Sequence, residues 1–72
     1  MRDDDPEVMV HIELAADEAT AFAQLLKRLT YEDCVRLADR KVTYKRRAEA
    51  DVMWAAANSI QRQFAHAGYA PR

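Results

Sequence analysis

The chain has 72 residues, of which half are hydrophobic, and a formal net charge of −1. A single domain of this size buries only about 60% of its unfolded surface, so it needs a partner chain, a metal, a disulfide or very good packing. One cysteine excludes an internal disulfide, and two scattered histidines give no zinc-type spacing. We therefore expect no cofactor or metal, and we expect stability to come from oligomerisation or from close helix packing.

We expect neither a secretory signal nor a transmembrane span from this sequence. No run of about 18 apolar residues is present, which argues against a transmembrane span. The first residues, MRDDDPE, are acidic and lack the apolar region of a secretory signal. The single cysteine suits a reducing compartment, so the expected location is the cytoplasm.

The N-terminal part is predicted to contain a tail and a strand. Residues 1–6 are charged and end in proline, so we expect a disordered tail, followed by one small domain over residues 7–72. Residues 7–14 alternate apolar and polar side chains, the period of a half-buried strand, with the apolar set Val8, Val10, Ile12 and Leu14. A lone strand leaves its backbone hydrogen-bonding groups unpaired. The sequence therefore predicts a homodimer in which this strand pairs with its copy about a twofold axis.

The first helix is predicted over residues 16–29. Acidic Asp17 and Glu18 lie in its first turn and basic Lys27 and Arg28 in its last, which suits the helix dipole. Its apolar face comprises Ala15, Ala19, Phe22, Leu26 and Leu29. The cap position holds alanine, which costs about 1 kcal/mol relative to a good cap.

A second helix is predicted from Tyr31 to Arg40. Thr30 and Asp33 resemble a capping box with aspartate in place of glutamate. The inward residues are Tyr31, Cys34, Val35 and Ala38. Because Val42 and Thr43 are poor helix formers, we predict a break near residues 41–44. No glycine or proline interrupts residues 30–67, so one long helix is the alternative.

The stretch Ala48–Ala67 is predicted to be the helix around which the chain packs. Its apolar stripe steps by four residues and is widened by neighbours: Ala48, Val52, Ala56, Ile60 and Phe64, with Met53, Ala57 and Ala67. Gly68 suits the residue after a helix, and Pro71 cannot continue one. The predicted fold is thus mainly α, with one N-terminal strand and two or three helices completed as a homodimer.

Short motifs resemble those of a known family. LLKR at 25–28, Glu49-Ala50 with Met53, and the ending AGYAPR at 67–72 are similar to a family of short bacterial proteins of unknown function. The resemblance covers residues 12–72. It supports a helical fold and implies no activity, cofactor or site.

Charge is unevenly distributed along the chain. Residues 1–26 hold one cation against seven acids, and residues 27–47 hold eight cations against three acids. The preferred interpretation is that the acidic arm meets the basic middle, within one chain or across a dimer. The alternative is a nucleic-acid site, in which a continuous helix would place Arg36, Arg40 and Arg47 on one face. Its contacts would be Arg36, Arg40, Lys41, Lys45, Arg46 and Arg47.

Two further patterns bear on function. The polar face of the strand, with Glu7, Met9, His11 and Glu13, would repel phosphates, unlike the strands of ribbon-helix-helix repressors. Ser59 lacks the glycine pattern of a nucleophile elbow, and a chain with a single glycine cannot form a glycine-rich phosphate-binding loop. No catalytic residue is therefore predicted, and the protein is not expected to be an enzyme.

Trp54 lies at the edge of the apolar stripe. It is expected either to close its own core or to form a contact surface, since exposed aromatics with arginine are typical of interaction hot spots. That surface would comprise Tyr44, Arg47, Trp54 and Gln61. The predicted function is a small binding or regulatory module acting through protein–protein contacts, and the alternative is a nucleic-acid-binding accessory protein.

Overall fold

The computed structural model of the protein describes residues 7–68, which form three helices and a two-stranded sheet. The elements are α1 (Ala16–Arg28), α2 (Tyr31–Leu37), β1 (Thr43–Tyr44), β2 (Arg47–Ala48) and α3 (Glu49–His66). The mainly α class is confirmed. The predicted tail, residues 1–6, and the end of the AGYAPR motif lie outside the described residues.

Helix α3 is the centre of the fold. It packs against α1, α2 and both strands, whereas α1 and α2 are joined end to end by residues 29–30. Its observed range differs by one residue at each end from the predicted Ala48–Ala67. Gly68 follows with φ of 94°, in the left-handed region that glycine tolerates best.

The ends of α1 and α2 follow local chemistry. The Asp33 backbone N–H donates to Thr30 Oγ1 at 3.1 Å, and the Thr30 N–H donates to Asp33 Oδ2 at 2.9 Å, so the capping box is confirmed. The Thr30 N–H and then the Arg36 guanidinium hold the pKa of Asp33 below its usual value. At α1, Ala15 has no side-chain acceptor, and only its N–H is satisfied, by Glu18 Oε1 at 3.0 Å.

The predicted break is confirmed, but the second helix is shorter than predicted. It ends at Leu37, because Ala38 is extended with ψ of 153°, and residues 43–48 form an antiparallel hairpin instead of helix. The β-branched pair Val42-Thr43 favours this outcome. A single long helix over residues 31–67 is therefore wrong.

The buried face of α3 is turned relative to the predicted stripe. Ala50 is buried, Met53, Trp54 and Ala57 are half-buried, and Ala48, Ala56 and Ala67 are exposed. A helix rotates about 100° per residue, so five positions spaced by four move about 160° around its surface. Ala48 and Phe64 therefore cannot share one face. Positions spaced alternately by three and four stay on one face, and the buried or half-buried residues Ala50, Met53, Ala57, Ile60 and Phe64 follow this spacing.

Small side chains form the core of the described residues. The buried residues are Ala19, Ala23, Leu26, Cys34 and Ala50, and no large side chain is fully buried. Ala19, Leu26 and Cys34 were predicted to face inward, whereas Ala23 was missed. Ala15 is exposed, and Tyr31 and Val35 remain 43% and 46% exposed. Helices that meet through alanine approach closely but bury little apolar area, so larger side chains stay outside.

The predicted strand over residues 7–14 is not present in the single chain. These residues belong to no helix or strand, and Val8, Met9 and Val10 are 71–98% exposed. Alternating side chains favour a strand only if a second strand satisfies the backbone, and the two short strands of this chain pair with each other. The lone-strand prediction also missed those two strands.

Phe64 provides a test of the packing on α3. Its ring makes an edge-to-face contact with Phe22, with centroids 5.2 Å apart, but it is only half-buried. We expect Phe64→Ala to lower the free energy of unfolding by about 2 kcal/mol, because partial burial and one aromatic pair are lost. Urea denaturation measures this change.

The matched control is Leu37→Ala, at a side chain that is 66% exposed. It should change stability by less than about 0.5 kcal/mol. Equal losses in the two variants would contradict the assignment of Phe64 to the α1–α3 contact.

Candidate functional site

The hairpin between α2 and α3 carries the densest positive charge of the chain. Thr43 pairs with Ala48 and Tyr44 with Arg47, and Lys45 and Arg46 form the two-residue turn. Both turn residues have positive φ, 53° and 70°. Turns of this kind favour asparagine and glycine, because a left-handed backbone costs other residues roughly 1–2 kcal/mol each. The chain thus holds two cations in an unfavourable backbone conformation.

The carboxylate of Glu49 fixes the hairpin to the start of α3. Glu49 Oε2 accepts a hydrogen bond from the Tyr44 hydroxyl at 2.9 Å, and Oε1 accepts one from the Asp39 backbone N–H at 2.9 Å. Asp39 Oδ1 in turn accepts from the Lys41 N–H at 2.9 Å. We call this arrangement of Glu49, Tyr44, Asp39 and Lys41 the Glu49 bridge. It joins the loop before the hairpin, through Asp39, and strand β1, through Tyr44, to the first residue of α3.

The predicted nucleic-acid residues separate into two groups. Arg36 lies on α2, where its guanidinium bonds Asp33 Oδ1 at 3.0 Å. The others lie in or just before the hairpin and are exposed: Arg40, Lys41, Lys45, Arg46 and Arg47. The prediction that Arg36, Arg40 and Arg47 share a helix face is wrong, because α2 ends at Leu37. We call residues 40–47 the basic segment; it contains five cations and no acid.

The predicted contact set divides in the same way. Tyr44 and Arg47 are cross-strand partners in the hairpin. Trp54 instead packs its ring against Tyr31 of α2, with centroids 6.4 Å apart at 78°. Gln61 is half-buried and lies about two turns further along α3. The contact between Trp54 and Tyr31 links α3 to α2, which is a role in the chain's own packing.

Tyr31 and Tyr44 both donate their hydroxyl to a carboxylate of α3. Tyr31 donates to Asp51 Oδ1 at 2.6 Å, and Tyr44 donates to Glu49 as described. Each hydrogen bond holds the neutral phenol beside a negative charge, which raises the pKa of Tyr31 and of Tyr44 above 10.0. Sequence spacing gave no signal for these pairs, since the partners of Tyr31 lie 20 or more residues away.

An apolar groove lies at the other end of α3. It has a volume of about 220 Å³ and is lined by residues from the N-terminal segment and two helices: Ile12, Leu14, Ala19, Phe64 and Ala67. Leu14 is 40% and Ile12 53% exposed, so the groove opens to solvent. We call this surface the N-terminal groove. The sequence did not predict this groove, although the alternation at Ile12 and Leu14 was its signal.

Three further features concern residues 7–68: metal clusters, the cysteine and membrane-spanning helices. No group of three or more histidine, cysteine, aspartate or glutamate side chains there is placed to hold a metal ion. Cys34 is a buried free thiol. None of the helices in that part of the chain combines the length and apolar character needed to cross a bilayer.

Comparison with known proteins assigns the chain to a family. A family model described as a family of unknown function, DUF7706, matches residues 1–72. The chain belongs to this family. The searches of curated proteins and of solved structures found no match. The family carries no known activity, so function has to be argued from the surfaces of the molecule.

The tyrosine pairs predict a specific alkaline titration. Because folding raises the pKa of Tyr44, this group stabilises the fold below pH 10.0, and that contribution is lost as pH rises through the folded-state pKa. We expect Glu49→Gln to return the pKa of Tyr44 towards its ordinary value. The chain has three tyrosines, so absorbance of phenolate in a background with Tyr31→Phe and Tyr69→Phe measures the titration of Tyr44 alone.

Asp51→Asn is the matched control, because it removes the carboxylate beside Tyr31 and leaves Glu49 in place. In the same background it should leave the titration of Tyr44 unchanged. A normal titration of Tyr44 in that background with Glu49 and Asp51 both present would contradict the Glu49 bridge.

Proposed function

We propose that the protein is a small binding module that acts through protein–protein contacts and that its first partner is a second copy of the same chain. The supporting observation is the inverted distribution of apolar side chains. Among residues 7–68, three of the five buried residues are alanines, while Val8, Met9, Val10 and Leu37 are 66–98% exposed. Exposed apolar groups of this size are typical of interaction surfaces.

The N-terminal segment has the geometry that pairing requires. His11 Nε2 and Glu13 Oε2 lie 3.2 Å apart, so these two polar side chains share one side of the segment. Ile12 and Leu14 both line the N-terminal groove. Side chains two residues apart thus lie together, as they do in an extended strand. The segment already presents an apolar and a polar side, although it lacks a strand partner.

Antiparallel pairing of two such segments would give each of them the strand partner that it lacks. It would satisfy backbone groups that the single chain leaves to solvent. The register is restricted, because residues directly opposite each other share a face and a shift by one residue mixes apolar with polar sides. Pairing Val10 with the partner's Ile12, and Val8 with the partner's Leu14, keeps all four apolar side chains over the N-terminal groove.

The exposed apolar side chains of the N-terminal segment are consistent with this assembly. Val8, Met9 and Val10 are 71–98% exposed in the single chain. Pairing with a second copy would remove Val8 and Val10 from water, which is favourable for apolar surface.

Sedimentation equilibrium at micromolar concentration tests the assembly directly. We expect a mass twice that of the 8.3 kDa chain, since the core of one chain is small. A folded monomer that persists at every accessible concentration would contradict the dimer.

A pair of matched variants tests the interface. Val10→Asp should weaken dimerisation by at least about tenfold, because it places a charge on the apolar side of the segment. Met9→Asp adds the same charge at a neighbouring residue that is 98% exposed and lies on the polar side, so its effect should be small. Equal weakening by both would contradict the proposed face.

Contact with nucleic acid is the second candidate function. The observation that favours it is the exposure of all five cations of the basic segment on one loop and hairpin. Of these, Arg40, Lys41, Arg46 and Arg47 form no salt bridge with residues 7–68. We propose in addition that the protein is cytoplasmic, a location that suits the free thiol of Cys34. We also propose that it is not an enzyme.

A further inference from the structure

The turn of the hairpin holds cations where the backbone favours other residues. Lys45 and Arg46 have φ of 53° and 70°, and Asn-Gly would occupy these positions without strain. Arg47 follows in β2 and Lys41 precedes β1, so one small projection carries four cations. Backbone strain of this kind is typical of functional sites. The backbone strain at Lys45 and Arg46 is therefore explained if the positive charge of the turn binds a ligand.

We propose that the hairpin is a phosphate-binding projection that docks on the sugar–phosphate backbone of duplex nucleic acid through Lys41, Lys45, Arg46 and Arg47. The inference rests on the second candidate function and names its ligand and its location. Arg36 and Arg40 are left out, because Arg36 lies on α2 and Arg40 lies further from the turn along the chain than Lys41. The predicted set of six cations is thereby reduced to the four nearest the turn.

The dimensions of the hairpin suit backbone contact. Two-residue strands and a turn extend roughly 10 Å at about 3.3 Å per residue, and a two-stranded ribbon is narrow enough for a major groove about 12 Å wide. Residues 41–48 contain four cations and no asparagine or glutamine. Lysine and arginine contacts to phosphates position a protein on the duplex, whereas reading of base sequence needs specific base contacts. We therefore expect little sequence preference.

The Glu49 bridge makes the projection rigid. Tyr44 in β1 and Asp39 before the hairpin both bond to the first residue of α3. The side chains that carry the charge are thus held on a fixed base and lose less freedom on binding than they would on a flexible loop. The N-terminal groove involves the opposite end of α3, at Phe64 and Ala67, so a dimer formed there leaves the hairpin accessible.

The experiment measures binding to a labelled random-sequence DNA duplex by fluorescence anisotropy across a salt series. The full chain should bind with a logarithmic salt slope of about −3 to −4, one unit for each phosphate contact per chain. The test variant is Lys45→Asn with Arg46→Gly. It removes two cations but gives the turn its preferred residues, so thermal melting should stay the same or rise while affinity at low salt falls at least tenfold.

The control is Lys27→Gln with Arg28→Gln, which removes two exposed cations from the end of α1. Its affinity should stay within about twofold of that of the unaltered chain. Arg46→Asn is a second test variant, since asparagine tolerates the left-handed region. Arg46→Asn keeps Lys45, so it should lose only part of the affinity. This intermediate loss would show that the effect of the double variant does not come from a folding defect.

Three results would overturn the inference. Loss of affinity by equal amounts in test and control would show that net charge alone acts, leaving nucleic-acid binding intact but not the hairpin site. No salt-sensitive binding by the unaltered chain would remove the second candidate function as well. Equal binding to polyglutamate, with the same dependence on Lys45 and Arg46, would identify an acidic protein as the partner instead.

Discussion

The structure depends on close contact between α3 and each of the other elements. Helices α1 and α2 both pack on α3, and the hairpin is attached to its first residue. The residues buried in this packing are mostly small, among them Ala19 and Ala23 on α1 and Ala50 on α3, and aromatic pairs also join α1 and α2 to α3. This packing brings the backbones together but covers little apolar surface. A small core and a large exposed apolar surface thus have one cause.

The start of α3 has two functions in the fold. An acidic residue in the first turn stabilises a helix through the dipole, and Glu49 also accepts the Tyr44 hydroxyl and the Asp39 N–H. Asp51 holds Tyr31, whose ring packs on Trp54. Two carboxylates of one helical turn therefore position the hairpin and α2. The polar contacts of this end contrast with the apolar contacts at the other end of α3.

The two candidate surfaces lie at opposite ends of α3, which has 18 residues and a length of about 27 Å. The N-terminal groove is apolar and is lined by Phe64 of that helix and by Ala67, the residue that follows it. The basic segment is charged and is joined to Glu49. We propose a second copy of the chain for the first surface and an anionic partner for the second. Because the two are separated along the helix, occupation of one does not block the other.

The sequence by itself determined the features that depend on neighbouring residues. The three helices, the Thr30–Asp33 capping box and the break after α2 follow from propensity and short-range hydrogen bonds, and all were predicted. The basic segment, too, was visible as composition. The tertiary structure decided how these parts meet. It turned the buried face of α3 towards Ala50, because contact lines follow the helical period over 18 residues, whereas steps of four drift around the helix.

Only the tertiary structure decided the two β features. A strand needs a partner, so the alternation over residues 7–14 forms no strand in one chain, and the pattern alone could not show this. The hairpin lacked the asparagine and glycine by which such turns are recognised, and its position depends on bonds from Tyr44 and Asp39 to Glu49. Local pattern specifies which conformations are favourable, and pairing between distant residues selects among them.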